Sequence, residues 1–310
     1  MVKDLILFGD CKETLKQFPR GSAQMCVTSP PYYGLRDYGG ETDQIGQEDT
    51  PEQFVDNLVS VFREVRDVLK DDGTLWVNIG DSYYNYRPGT GGLPKQTVSK
   101  TSQDLPTQCN RRANKLDGLK EKDLIGIPWM LAFALRADGW YLRQDIIWHK
   151  PNPMPESVKD RCTKSHEYIF LLSKNKKYYY DNEAIKEPVK QDWGTRNRDA
   201  GKYHNPGTGL QPHSGLTKSY ERKNKRDVWT ITNKPYKGAH FAVFPPDLIE
   251  PCILAGSREG DIVLDPFMGS GTTAMVAKKH NRAYIGCELH EDYASLQTDR
   301  IDSIPPQLVL

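Results

Sequence analysis

The sequence TSPPYY at residues 28–33 directly follows a short apolar run, AQMCV, at residues 23–27. The apolar run predicts a buried strand. The two prolines predict where that strand stops, because proline has a fixed φ and no N–H group to donate to a sheet. A residue that precedes a proline is held extended. Ser29 and Pro30 are therefore expected to leave the strand stretched out, with carbonyl groups that have few backbone donors nearby.

These carbonyl oxygens form a group of free acceptors beside the Ser29 hydroxyl and the Tyr32 ring. Acceptors next to an aromatic face suit a planar group that carries an amine. In most proteins, however, two prolines after a strand are only a turn. The interpretation therefore depends on a second stretch far downstream.

The second stretch, IVLDPFMGSGTT at residues 262–273, predicts a strand, a glycine turn and the start of a helix. Glu288 ends the next predicted strand, residues 283–288, about 20 residues beyond Asp265. A strand, a glycine turn, a helix and then an acid is the general arrangement for binding a nucleoside. The turn lacks the G-x-G-x-x-G spacing of dehydrogenases, and no Gly-Lys-Ser/Thr follows it, so neither a dehydrogenase nor a phosphate-binding loop is favoured.

Together the two stretches resemble the signature pair of the DNA amino-methyltransferases. These enzymes use S-adenosyl-L-methionine (AdoMet) to methylate exocyclic amines of cytosine or adenine. The catalytic element comes first and the cofactor element last, as in the β-type members, which are circular permutations of the common fold. The resemblance implies an α/β fold of three layers, Rossmann-like, with a mostly parallel sheet that ends in an antiparallel edge pair. It implies four catalytic residues, Ser29, Pro30, Pro31 and Tyr32.

The resemblance also implies which residues bind AdoMet. Asp265 before the glycines suits a cofactor with a cationic amino-acid end. Asp10 resembles the residue that contacts the adenine of AdoMet, although a helix cap is an equally good interpretation of Asp10. The implied cofactor-binding residues are Asp10, His240, Phe244, Asp265, Phe267, Gly269, Gly271, Thr272 and Glu288.

The implied mechanism follows from the target amine, whose lone pair is delocalised into the ring. The base is flipped out of the duplex and stacks on Tyr32, while the Ser29 hydroxyl and the Pro30 carbonyl accept hydrogen bonds from the amine. These contacts free the lone pair for in-line attack, so catalysis is by positioning and electrostatics without a covalent enzyme intermediate. No metal is expected to take part.

Ser29 favours N4 of cytosine as the target, because adenine enzymes of this family mostly have aspartate there. Adenine N6 stays open as an alternative. A catalytically inactive DNA-binding protein is a rival of another class, and the two intact signatures count against it. An enzyme acting on RNA or protein is a further rival. The absence of a Pro-Cys motif argues against methylation of the cytosine ring carbon.

The rest of the chain fits a sheet with crossover helices. Residues 5–8, 23–29 and 74–79 are predicted strands with helices between them, and the first of these is predicted to be buried. Thr50 to Gln53 is a capping box that opens a helix predicted to stop at Asp72-Gly73. Residues 141–149 and 166–173 are predicted to form the antiparallel edge pair.

Two irregular segments interrupt this pattern. Residues 87–122 form a basic loop, and residues 34–40 form a glycine-bounded loop over the site. Residues 189–236 mix basic and aromatic side chains and are predicted to be a target-recognition insertion, although a solvated surface insertion is the alternative. The predicted DNA-binding residues are Arg196, Arg198, Lys202, Arg222 and Lys223. Residues 1–188 and 237–310 then make up the catalytic domain.

Composition limits which kinds of site, location and partner are expected. The net charge of +1 says little about partners, and the six cysteines are scattered without a C-x-x-C pair, which argues against a zinc site or a disulfide framework. No signal peptide and no apolar run long enough for a membrane span are visible, so a cytoplasmic protein is expected. The expected partners are double-stranded DNA and, in a restriction–modification setting, a cognate restriction endonuclease. A phage setting stays open, as does the choice between monomer and homodimer.

Overall fold

The computed structural model describes residues 2–34, 44–84, 116, 118–189, 221–233 and 244–305. The strands, in chain order, are β1 (Leu5–Phe8), β2 (Ala23–Thr28), β3 (Leu69–Ile79), β4 (Tyr141–His149), β5 (His166–Ser173), β6 (Glu187–Pro188), β7 (Arg222–Lys223), β8 (Val228–Thr230), β9 (Ile262–Asp265) and β10 (Ala283–Glu288). The helices are α1 (Cys11–Thr14), α2 (Pro51–Val68), α3 (Ile127–Ala137), α4 (Pro246–Gly256), α5 (Thr272–Lys279) and α6 (Ala294–Asp302), with 3-10 turns at Leu15–Gln17 and Glu291–Tyr293.

Eight strands form one sheet in the order β1-β10-β9-β2-β3-β5-β4-β8. The first five are parallel, whereas β5 pairs antiparallel with both β3 and β4. This confirms a mostly parallel sheet with an antiparallel pair. The short strand β8 lies outside the pair and runs parallel to β4. Strands β6 and β7 form a separate two-stranded ribbon.

Helices cover both faces of the sheet, so the molecule has three layers. Alternate residues of β3 serve the two cores: Leu75 and Val77 pack with α1, α2 and α3, and Trp76 packs with α4 and α5. The long helix α2 begins as the sequence predicts. The Thr50 hydroxyl accepts a hydrogen bond from Gln53 N, the Gln53 side chain accepts one in return, and proline occupies the first helical position.

Three details differ from the sequence-based expectations. Strand β1 is an edge strand rather than a buried one, and Leu5 is 39% exposed. Helix α2 ends at Val68, so Asp72 and Gly73 lie within β3 and do not stop the helix. An ideal Cβ at Gly73 would lie only 2.9 Å from Lys70 O, so glycine serves here to admit a close backbone approach within the strand. The segment expected to be irregular contains β7 and β8.

None of the helices among the described residues is both long and apolar enough to span a lipid bilayer.

Candidate active site

The predicted catalytic and cofactor segments lie at one edge of the sheet. Residues 29–32 follow β2, residues 266–272 follow β9, Glu288 ends β10 and Asp10 follows β1. These four strands are neighbours and parallel, so their carboxyl ends meet at the same edge, where open α/β sheets bind ligands. The fold therefore brings together segments that are far apart in the sequence.

Asp265 joins the two signatures directly. Its Oδ1 accepts a 2.6 Å hydrogen bond from the Thr28 hydroxyl and a 3.0 Å bond from Phe267 N, and its Oδ2 accepts a 2.6 Å bond from the Thr273 hydroxyl. The residue is 1% exposed. Burial raises the pKa of this carboxyl to about 6, and the three hydrogen bonds oppose the rise. The contacts thus fix the end of β2 against the glycine turn, while the role of Asp265 as an AdoMet ligand stays a prediction.

The glycine turn leads into α5. Gly269 and Gly271 have φ values of 52° and 80°, which L side chains rarely adopt. A Cβ at Gly271 would also lie 3.3 Å from Gln297 Cα. The Gln297 amide donates a 2.7 Å hydrogen bond to Gly269 O, so α6 holds the turn from behind. Glycine is needed here both for conformation and for space.

Glu288 is tied to the same turn. Its Oε2 accepts a 2.7 Å hydrogen bond from Gly269 N, and its Oε1 accepts one from His290 N at 3.1 Å. Burial raises the pKa of this carboxyl, and the backbone hydrogen bonds oppose the rise. Each carboxylate oxygen has a second lone pair, so a ribose hydroxyl can still be accepted.

Thr272 carries a buried hydroxyl at the end of the turn. Within the part of the chain that the structure describes, its buried hydroxyl has no hydrogen-bond partner. Buried polar groups are rarely left unpaired, so such a group at a binding site needs an explanation. An orphaned hydroxyl at the N-terminus of α5, beside a constrained glycine turn and a carboxylate, fits the binding of AdoMet.

Of the other predicted cofactor residues, three are described by the structure and one is not. Asp10 is exposed, and its carboxylate accepts a 2.8 Å hydrogen bond from Lys12 N, so it does cap α1. Phe267 is partly buried at the turn. Phe244 packs against the core on the α4 side. His240 lies outside the described residues. Contact of these residues with AdoMet stays a prediction.

The catalytic segment leaves β2 as the prolines predict. Ser29 and Pro31 are partly exposed, and Pro30 is buried. The Tyr32 hydroxyl donates a 2.6 Å hydrogen bond to Glu167 Oε2 and lies 3.4 Å from Asn78 Oδ1. Burial, and then the Glu167 carboxylate, raise the pKa of the Tyr32 phenol well above its usual range, and hydrogen bonds from Ser29 and the Gly80 backbone oppose the rise.

The contacts of Tyr32 show polar residues that sequence reasoning did not assign to the site. Glu167 lies near the start of β5, and because β5 runs antiparallel, its first residues lie at the edge where the parallel strands end. Lys150, just after β4, forms an ion pair with Glu167. The predicted antiparallel pair was the one feature of the sequence that could have indicated these residues. Lys150 follows the first strand of the pair, and His166 and Glu167 begin the second, so all three lie at the end of the pair that faces the site.

The predicted DNA-binding residues are only partly described. Arg222 donates a 3.0 Å hydrogen bond to Lys186 O, and Lys223 lies 3.4 Å from Glu187, so both also support the β6–β7 ribbon. The glycine-bounded loop falls largely outside the described residues, as do most of residues 87–122 and the residues Arg196, Arg198 and Lys202. DNA contact by this set stays a prediction.

Comparison with known proteins agrees with this arrangement. A family model described as DNA methylase, for N6 and N4 methyltransferases, matches residues 23–299. The chain is 49% identical over 296 residues to the Type II methyltransferase M.SmaI of Serratia marcescens, covering 96% of this chain and 90% of that protein. It is 47% identical over 293 residues to the Type II methyltransferase M.Cfr9I of Citrobacter freundii, covering 94% and 86% of the two chains.

Solved structures share the fold. The PvuII DNA methyltransferase, described as cytosine-N4-specific, superposes with a TM-score of 0.64 at 19% identity, over 97% of this chain and 86% of that chain. A Thermus thermophilus protein described as a putative DNA modification methylase, in complex with AdoMet, gives a TM-score of 0.60 at 24% identity, over 97% and 94% of the two chains. The chain therefore belongs to the N6/N4 family of DNA methylases, and it is an AdoMet-dependent DNA methyltransferase.

Proposed function

We propose that this enzyme transfers a methyl group from AdoMet to the N4 amine of cytosine in double-stranded DNA, after the base has been flipped out of the helix. The observation that carries the proposal is the serine at the head of the catalytic segment, one residue after the Thr28 that hydrogen-bonds to Asp265. The description of the PvuII enzyme as cytosine-N4-specific supports the same choice of base.

The residues of the site divide into two groups. Glu288, Thr272 and the turn at Gly269 would hold AdoMet, through hydrogen bonds to its hydroxyl groups and close backbone approach. When bound, AdoMet supplies an activated methyl group on a sulfonium. Asp265 keeps the turn and the end of β2 in a fixed relation. The residues proposed to bind AdoMet therefore differ from those proposed to act on the amine, and Asp265 supports both groups.

The catalytic segment acts on the target amine. The Ser29 hydroxyl and the Pro30 carbonyl accept hydrogen bonds from its two N–H groups, which favours a tetrahedral nitrogen with an available lone pair. Tyr32 offers a ring on which the flipped base stacks. The residues supply orientation and preorganised acceptors, which are large contributions to rate enhancement.

We further propose that the enzyme is the modification partner of a restriction endonuclease with the same recognition sequence. Support comes from the names of the relatives M.SmaI and M.Cfr9I, which are Type II methyltransferases. DNA methylated by this enzyme would then resist the cognate nuclease, and unmethylated DNA of the same sequence would not.

The decisive experiment identifies the methylated nucleoside. The enzyme is incubated with unmethylated DNA and AdoMet, the DNA is digested to nucleosides, and the products are identified by mass spectrometry. We expect N4-methyldeoxycytidine. N6-methyldeoxyadenosine would retain the mechanism and overturn the interpretation of Ser29. If no methylated nucleoside forms, the proposed function is wrong.

A further inference from the structure

We propose that Glu167 and Gly80 are positioning residues for the Tyr32 ring, and that the Tyr32–Glu167 hydrogen bond sets the rate of methyl transfer. The inference rests on the proposed role of Tyr32 as the surface on which the target base stacks. It is independent of whether that base is cytosine or adenine.

The Tyr32 side chain is held at its polar end. Its hydroxyl donates to Glu167 Oε2 at 2.6 Å, and Asn78 lies beside the same bond, with its Oδ1 3.4 Å from the phenol oxygen. The Asn78 amide is itself fixed by a 3.1 Å hydrogen bond to Tyr168 O. A hydrogen bond at the far end of an aromatic side chain restricts the rotation that would move the ring.

Glu167 is held in turn by Lys150. The Lys150 ammonium forms an ion pair with Glu167 Oε1, the oxygen that Tyr32 does not use. The two side chains are only 16% and 14% exposed. The ammonium also lies 4.1 Å from the centroid of the Trp148 ring. An ionised carboxylate is only an acceptor, so the proton of the bond to Tyr32 belongs to the phenol, and the direction of that bond is fixed.

Gly80 supports the ring from the side. An ideal Cβ at this position would lie 2.7 Å from Tyr32 Cε2 and 3.4 Å from Glu167 Cδ. The φ of Gly80 is not in the left-handed region, so backbone conformation does not explain a glycine here. The space is taken by Tyr32 and Glu167, and any side chain at position 80 must displace one of them.

The Tyr32 ring is therefore fixed at two points before any base arrives. Preorganised groups accelerate a reaction because no reorganisation is needed when the transition state forms. A Tyr32 side chain without these supports would still stack on a base but would sample other positions. The loss should then appear in kcat rather than in the affinity for AdoMet, whose predicted ligands are other residues, among them the turn after β9 and Glu288 at the end of β10.

The test is a double-mutant cycle with Tyr32→Phe and Glu167→Ala. Tyr32→Phe keeps the ring and removes the hydroxyl. We expect each variant to lower kcat by about 10-fold, as for loss of one hydrogen bond to a charged group, with the Kd for AdoMet unchanged. Both variants break the Tyr32–Glu167 bond, and Glu167→Ala also removes the ion pair with Lys150. The double variant should therefore lose little more than the larger of the two single losses, whereas independent structural effects would multiply to about 100-fold. Glu167→Gln keeps an acceptor and should recover most of the rate.

A control variant and a further variant test whether the loss of rate is specific to the support of the Tyr32 ring. Tyr33→Phe removes the neighbouring hydroxyl, which donates to Asp49 O at 3.2 Å, and should leave kcat unchanged. Gly80→Ala leaves Tyr32 and Glu167 in the sequence and should lower kcat by displacing one of their side chains. This variant tests the inference even if Glu167→Ala fails to fold.

Rates are scored as total radioactive methyl incorporated into DNA, so an adenine product would overturn the proposed base and leave this test intact. Multiplicative losses in the cycle, or a wild-type rate for Tyr32→Phe or for Gly80→Ala, would overturn the inference.

Discussion

Ser29 is the side chain on which the proposed choice of cytosine depends. It stands at the end of β2, partly exposed, one residue after the Thr28 that is bonded to Asp265. Its hydroxyl is a small acceptor, and nothing about its place gives it a part in holding the cofactor turn. Acceptance of the amine and retention of AdoMet should therefore be separable by substitution.

Ser29→Ala should leave the affinity for AdoMet within about 2-fold of wild type and lower kcat by about 100-fold, the loss typical of removing one group that stabilises a transition state. Calorimetric titration with AdoMet and a methyl-incorporation assay measure the two quantities. A variant that methylates DNA at the normal rate would show that Ser29 does not accept the amine.

Asp265 makes stability depend on pH in an unusual direction. Its pKa is about 6 in the folded protein, against an ordinary value of 3.8 for an aspartate. Between these values the folded state binds more protons than the unfolded state, so the contribution of this carboxyl to the free energy of unfolding falls as pH rises. Relative to Asp265→Asn, which does not titrate, wild type should gain about 1 kcal/mol when pH is lowered from about 7 to about 5.

Urea denaturation of both proteins at several pH values measures this difference, and comparison with the asparagine variant cancels the other titrating groups. A constant difference across that range would mean that Asp265 is ionised throughout, as an exposed carboxylate would be.

At this scale the sequence predicted which segments meet at the site but not the contacts between their side chains. The acid before the glycines was found because Asp-Pro-Phe-x-Gly-x-Gly is a continuous motif. Its bond to Thr28 was not found, because Thr28 is 237 residues away in the sequence. Glu167 was missed for the same reason: it follows no motif and acquires its partner only when β5 pairs with β3.

The glycine turn is the element predicted to constrain cofactor binding most. Gly271 and Gly260 have nearly equal φ values, 80° and 79°, but differ in their surroundings. A Cβ at Gly271 would lie 3.3 Å from Gln297 Cα, whereas one at Gly260 would meet nothing within 4 Å. Comparison of alanine substitutions at these two glycines therefore separates the effect of backbone strain from the effect of crowding.

Gly260→Ala should lower the free energy of unfolding by about 1 kcal/mol, because alanine is strained in the left-handed region. Gly271→Ala should lower it further, because its Cβ also crowds Gln297. Only Gly271→Ala should also weaken AdoMet binding, by about 10-fold or more, which corresponds to about 1.4 kcal/mol. Thermal unfolding and calorimetric titration measure the two effects. Equal AdoMet affinities for the two variants would place the cofactor elsewhere.

Elements were predictable where local chemistry decides them. The capping box and helical spacing located α2, and the alternation of Leu75, Trp76 and Val77 agrees with a strand that serves two cores. The end of α2 was misplaced because Asp72-Gly73 has the composition of a helix stop, while the pairing of β3 with β2 draws the chain into the sheet from Leu69. Tertiary pairing overrode the local signal.

In the whole molecule, the two described chain ends that flank the predicted recognition segment lie next to each other. Val189 N donates a 3.0 Å hydrogen bond to Glu221 O, and β6 pairs with β7 through Glu187 with Lys223 and Pro188 with Arg222. The chain therefore leaves the described structure after Val189 and re-enters it at an adjacent point. Removal of residues 190–220 requires only a short turn in their place.

A Gly/Ser turn of about four residues in place of residues 190–220 should preserve the fold and the affinity for AdoMet, because a short loop closes neighbouring ends at small entropic cost. It should abolish methylation of the wild-type site. A full-length variant with Arg196, Arg198 and Lys202 changed to alanine is the matched control, and should bind DNA more weakly with a reduced salt dependence. Site-specific methylation by the shortened enzyme would place recognition elsewhere.

The order of strands in the sheet has a consequence for biosynthesis. Strands β9 and β10 lie between β1 and β2, so Leu5 pairs with Ile285 and Met25 pairs with Val263. A nascent chain that has not yet reached residue 262 leaves β1 without its partner and lacks the whole cofactor turn. Closing so long a loop is slow, and it can begin only once the last strands have left the ribosome. Strand β1 is thus among the last elements of this unit to pair, and the predicted cofactor site is complete only after residues 262–288 have been made.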